Sequence, residues 1–190
     1  MKTEKILYYD SSGEENTETT IGAALERARQ LGIKDIVVAS VTGATGLRAC
    51  EAFKSFNVVV VSGQVGIPKP GVSRLLKANE EKIRSLDGKI FMGTHSLSGV
   101  ERAIRAKWNT IEPVEIIADA LKIFGNGVKA CAEITLMAAD AGLIPIDKDV
   151  IAIAGSHSGA DTALVIGPAH ASNFFDMTIR EVICKPRTRE

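Results

Sequence analysis

Four short stretches of the chain are apolar at every position rather than at every second one: Ile36 to Ala39, Val58 to Val61, Ile151 to Ala154 and Ala163 to Ile166. A strand with one wet face alternates, whereas a strand covered on both faces has no polar side to show. Unbroken runs of this length therefore predict strands of a parallel sheet lying between helices. Lys5 to Tyr9 and Lys89 to Met92 are predicted to join the same sheet. The mixed polarity of Met177 to Lys185 predicts a strand at an edge or in antiparallel pairing.

Between these runs the apolar period lengthens to that of a helix. Thr17 to Leu31 places Ile21, Ala24, Leu25, Ala28 and Leu31 on one face and stops at Gly32, a residue suited to a left-handed helix end. Ser98 and Glu101 have capping-box spacing and predict a helix with Val100, Ala103, Ile104 and Trp108 turned inward, Trp108 packing in the core four residues after Ile104. Pro113 suits the first position of a further helix that Gly125 closes, and Val128 to Ala141 forms another ahead of Gly142. The run ANEEKIRS reads as a solvated helix face, and GQVGIPKPG as a loop within the domain. Strand and helix in alternation predict a three-layer α/β/α sandwich with a mostly parallel sheet, residues 1–190 forming one domain.

Composition narrows the partners. Lys plus Arg and Asp plus Glu both total 23, so no global field exists to hold nucleic acid. Cys50, Cys131 and Cys184 are far apart, form no CxxC pair, and read as reduced core thiols of a cytoplasmic protein. The start MKTEKILYYD is too weakly apolar for a signal peptide, and no stretch approaches the ~20 apolar residues of a membrane span. A homo-oligomer is compatible with the sequence.

In open α/β sheets ligands bind beyond the carboxyl ends of the strands. At the predicted ends stand Asp10-Ser11-Ser12-Gly13, Ser40-Val41-Thr42-Gly43, Ser62-Gly63-Gln64, Gly93-Thr94-His95-Ser96, Gly155-Ser156-His157-Ser158 and Gly167-Pro168-Ala169-His170. Small and hydroxyl residues populate most loops for conformational reasons. Histidines do not, and all three follow such an end, which points to one polar crevice.

The corner Ser40 to Gly46 is the most specific of these. A helix starting near Ala44 leaves its first amides unpaired and adds the positive end of its dipole, so an oxyanion can sit there. Ser40, Thr42 and Thr45 can add hydroxyls, and Gly43 and Gly46 allow close approach. Thr42 would by itself serve as an ordinary helix cap.

The spacing is neither G-x-x-x-x-G-K-[ST] nor G-x-G-x-x-G, and Ser62 stands where a dinucleotide fold carries an acid for the ribose. There remains a ligand with one terminal phosphate, held by Ser40, Thr42, Gly43, Ala44 and Thr45: a sugar phosphate or flavin mononucleotide. Its body would lie against Ser62, Gly63, Gln64, Thr94, His95, Gly125, Asn126 and Gly127. Asn126 can cap the helix that follows it, meet the polar edge of a ring, or do both.

TTIGAALERARQLGIKDIVVASVTGATGLRACEAF followed by NVVVVSGQVG resembles the C-terminal α/β domain of pyruvate kinase, over roughly residues 18 to 66. The chain is similar to stand-alone proteins of that family that lack the rest of the enzyme. The resemblance implies the three-layer fold and a phosphate site at Ser40, Thr42, Gly43, Ala44 and Thr45. In allosteric kinases the matching loop grips a phosphate of a sugar bisphosphate. For the stand-alone relatives it implies flavin mononucleotide in the equivalent cleft, with a flavin-dependent redox role. Kinase activity is not implied, because phosphoryl transfer resides in a separate barrel. Where the kinases have S-G-x-T-A, this chain has the longer Ser40-Val41-Thr42-Gly43-Ala44-Thr45-Gly46.

Two other functions fit the same residues. One is a regulatory module that binds a sugar phosphate without chemistry. The other is a hydrolase or lyase with His95 and His157 as acid and base, with or without a metal on His95, His157, His170 and a carboxylate such as Asp10 or Asp161. The histidine spacing contains no local metal motif, and no metal is expected.

Overall fold

The computed structural model describes residues 3–188. Seven strands, β1 Leu7–Tyr9, β2 Asp35–Ala39, β3 Asn57–Ser62, β4 Lys89–Met92, β5 Val150–Ala154, β6 Thr162–Gly167 and β7 Thr178–Pro186, form one sheet in the order β1-β7-β6-β5-β2-β3-β4. Only β6 runs against the others; the remaining pairings are parallel. The fold is α/β with a mostly parallel sheet.

The unbroken apolar runs are explained by two cores, one on each face. Ile36 and Val38 of β2 join one, Val37 the other, and all three are fully buried. Helices α1 Thr17–Leu31, α2 Ala44–Ala52 and α3 Lys77–Ser85 cover the first face through Ile21, Ala24, Ala28, Ala49 and Ile83, with Phe53 just past the end of α2. Three further helices follow, α4 Glu101–Trp108, α5 Pro113–Lys122 and α6 Asn126–Asp140. Of these α6 covers the second face, and α5 packs on its outer side through Ala118 and Leu136. Gly32 adopts the left-handed conformation at the end of α1, as its position predicts. Within α3 only Ile83 is buried, in keeping with a solvated charge run.

Three expectations are corrected. Ala163 to Ile166 is buried on both faces, but β6 pairs antiparallel with both neighbours. Only residues 155–161 separate it from β5, too few for the crossover that parallel strands require. β7 pairs antiparallel with β6, as its mixed polarity predicts, and is not an edge, because β1 lies outside it.

The Ser98–Glu101 capping box does not form. The Ser98 amide donates to the His95 carbonyl in a turn at 3.1 Å, Val100 is already helical, and the Ser98 hydroxyl has no partner. Helix α4 has no buried residue: Val100 is 74 % and Trp108 63 % exposed. The helix lies outside the three layers, with no sheet beneath it. A capping box does form one helix later, between Glu112 and Glu115, with Pro113 at the first helical position.

Gly125 accepts two tasks. Its amide bonds the Lys122 carbonyl past the end of α5, and with φ of 128° it is the cap of α6. Asn126 is thus the first residue of α6, without a side-chain capping bond. Among the described residues no helix is long and apolar enough to cross a membrane.

Candidate functional site

Strands β2, β3, β4 and β5 end at one edge of the sheet. Helix α2 begins there directly after β2. Helix α6, which leads back into β5, begins at the same edge: a Cβ placed on Gly127 would collide with Thr162, the first residue of the reversed strand β6. The strand order changes direction between β2 and β5, where this kind of sheet opens a crevice.

The β2–α2 corner is tightly built. The Ser40 hydroxyl, buried, accepts the Gly46 amide at 3.0 Å. The Thr42 hydroxyl reaches the Ala44 amide only at 3.5 Å, in an exposed position. Among the described residues the Gly43 and Thr45 amides have no protein acceptor. The Thr42 carbonyl is fixed by the Leu76 amide at 3.2 Å and the Asn79 side chain at 3.0 Å, which ties the loop to the start of α3.

The glycines here answer to packing. Gly43 has φ of 87°, and a Cβ on it would lie 2.8 Å from Asn79 Cβ and 2.9 Å from Leu75 Cδ1. On Gly46 a Cβ would meet Val60 and Ser40. Close approach to neighbouring elements accounts for both residues, independently of any ligand.

At the next strand end the Ser62 hydroxyl, also buried, donates to the Val41 carbonyl at 3.0 Å and pins β3 to β2. Gly63 follows, partly open, with Gln64 beside it. The His95 Nε2 atom stands 3.9 Å from where a Cβ of Gly63 would be, so the ring from the end of β4 leans over the end of β3. Thr94 is exposed beside it.

Behind His95 lies a residue that the sequence reading did not single out. Glu133, on α6 and 3 % exposed, takes the His95 Nδ1 at 3.1 Å, the Lys129 Nζ at 2.7 Å and the Leu97 amide at 3.0 Å. Burial pushes its carboxyl up, but the hydrogen bonds from His95 and Lys129 and the lysine charge outweigh burial and hold it down, at about 2. The signal available in the sequence is an acid set among Ala132, Ile134, Leu136 and Met137 in the apolar middle of the helix.

The three histidines do not share one crevice. His95 and His157 follow strands that end at the carboxyl edge, and His157 is exposed in the loop between β5 and β6. His170 follows β6, and because β6 is reversed its end lies at the opposite edge. There it meets Asp140, the last residue of α6, at 3.1 Å.

Asp161 is fully buried and accepts from the Gly13 and Ser156 amides and the Thr162 hydroxyl, which makes it the anchor of the loop after β1. Among the described residues no group of three His, Cys, Asp or Glu side chains could hold a metal ion.

A family model described as pyruvate kinase, alpha/beta domain, matches residues 18–166. Among solved structures, Cryptosporidium parvum pyruvate kinase in complex with ADP is similar over 88% of this chain and 23% of its own, at 20% identity and a TM-score of 0.39. A second structure of pyruvate kinase from that organism is similar over 72% and 20%, at 16% identity and a TM-score of 0.36. Francisella tularensis NMN synthetase is similar over 72% of this chain and 52% of its own, at 12% identity and a TM-score of 0.37. The chain thus spans about a fifth of the length of the pyruvate kinases it matches.

Proposed function

This chain belongs to the family of pyruvate kinase alpha/beta domains, and on that footing we propose that it binds a phosphate-bearing small ligand, flavin mononucleotide foremost, at the carboxyl edge of its sheet. The observation that carries the proposal is the start of α2, where the Gly43 and Thr45 amides are without acceptors beside the exposed Thr42 and Ala44. Unpaired amides at a helix N-terminus, with the helix dipole behind them, favour a phosphate over water. The ligand body then extends across Ser62, Gly63 and Gln64 toward Thr94 and His95, with Gly125, Asn126 and Gly127 on its far side. A bound flavin would supply redox chemistry, and the protein would orient it.

Ala44→Asp separates binding from folding. A carboxylate on the exposed first residue of α2 suits the helix dipole and leaves stability unchanged or slightly raised. The same charge repels a phosphate. Titration of protein purified without ligand should show saturable quenching of flavin mononucleotide fluorescence, weaker binding of riboflavin, and at least tenfold loss in Ala44→Asp. Equal binding of the two flavins, or of neither, overturns the flavin reading. Thermal stabilisation by a sugar bisphosphate alone would assign the crevice to a regulatory phosphosugar instead.

A further inference from the structure

The His95–Glu133 pair holds more information than a contact. Glu133 faces an ammonium, a backbone amide and an imidazole at once, and neither Lys129 nor the Leu97 amide can accept a hydrogen bond. The carboxylate is therefore ionised and accepts only, so the His95 nitrogen that meets it, Nδ1, carries the hydrogen. This leaves Nε2 as the nitrogen turned toward Gly63 and the strand ends. The His95 side chain is 30% exposed, and a ligand can reach it.

The charged groups around the ring are few. From α6 come Glu133 and Lys129; from the start of α4, Glu101 approaches the neighbouring turn at Gly99. Val41 and Gly63, at the ends of β2 and β3, contribute no charge.

We infer that His95 is the proton acceptor of the crevice: in the neutral ring its bare Nε2 meets an N–H or O–H donor on the body of the bound ligand, and Glu133 is the positioning residue that fixes the hydrogen of that neutral ring on Nδ1. The inference rests on the ligand site proposed above and adds a chemical class, a phosphate ester whose ring or chain carries a donor over Gly63, such as a cyclic imide or a hydroxyl. If the proton passes fully, it leaves the ligand donor for Nε2, and the imidazolium formed is held by the Glu133 carboxylate.

Long-range nitrogen–proton NMR of the whole chain, with its histidines labelled with nitrogen-15, tests this in two steps. Without ligand, neutral His95 should show a protonated Nδ1 and a bare Nε2. Glu133→Gln should convert this to a mixture of tautomers, and Glu133→Asp should partly restore it. With flavin mononucleotide as probe, the His95 Nε2 resonance should move while those of His157 and His170 stay. His95→Phe should weaken the flavin at least fivefold and leave inorganic phosphate binding unchanged.

A protonated Nε2 in the unliganded wild type overturns the inference. So does an unmoved His95 resonance in a protein saturated with flavin, and there the binding proposal survives. Failure of the flavin to bind defeats the binding proposal and the ligand contact together, and it is distinguishable because the tautomer is measured without ligand.

Discussion

The Ser40 hydroxyl accepts the Gly46 amide at 3.0 Å across the corner between β2 and α2, beneath the surface. One of the four amides at the start of α2 is thereby satisfied from inside, while those of Gly43 and Thr45, residues that are themselves buried, are left without a protein acceptor among the described residues. Ser40→Ala strips the acceptor from a buried amide and should cost about 1–2 kcal/mol. Denaturant unfolding measures it; a change within 0.5 kcal/mol would show that the bond contributes little.

Two glycine substitutions should have opposite signs. A methyl on Gly127 would press into the Thr162 side chain and the Asp161 carboxylate, so Gly127→Ala should lose about 1–3 kcal/mol. Gly22 is exposed in α1 and has nothing within 4 Å of the new methyl, so Gly22→Ala should gain about 0.5–1 kcal/mol. Melting temperatures of the pair against wild type check both signs.

Glu133 should give the protein an acid limb. Its carboxyl lies at about 2 in the folded state against an ordinary 4.5. A depressed carboxyl stabilises the fold fully above its unfolded value and ceases to do so as pH falls through the folded one. The contribution, about 3 kcal/mol at neutral pH, should therefore fade between pH 4.5 and about 2. Unfolding of Glu133→Gln and wild type across this window should show the gap between them closing as pH falls.

The three thiols are buried. Burial pushes Cys50 up to about 11 and also raises Cys131 and Cys184, so almost no thiolate exists at neutral pH. Native protein should resist iodoacetamide at pH 7.5, and all three cysteines should react once it is unfolded, as mass spectrometry of the intact chain will count.

The sequence made the layers legible because a strand with two covered faces cannot hide its lack of polar positions. It assigned β6 the wrong direction, since apolar content reports burial and not polarity of the chain; the short link from β5 was the clue. The same reversal removed His170 from the crevice. The corner at Ser40 to Gly46 was legible as a strand-to-helix turn, whereas the packing reasons for Gly43 and Gly46 depend on Leu75, Asn79 and Val60, which are distant or unremarkable in sequence. Glu133 escaped notice because its partners His95 and Leu97 come from another segment, and only folding brings them together. Trp108 and Val100 fit a helical period, but no second layer covers α4.

The pairing of Leu7 with Cys184 and of Tyr9 with Pro186 has a kinetic side. Of the strands of this sheet β1 is synthesised before the others, yet its partner among the described residues is β7, which is made after the rest. The earliest strand is thus the last to be hydrogen-bonded, and its three residues complete the sheet only after the long intervening chain has been closed. Removing β7 would leave β1 without a neighbour in the sheet.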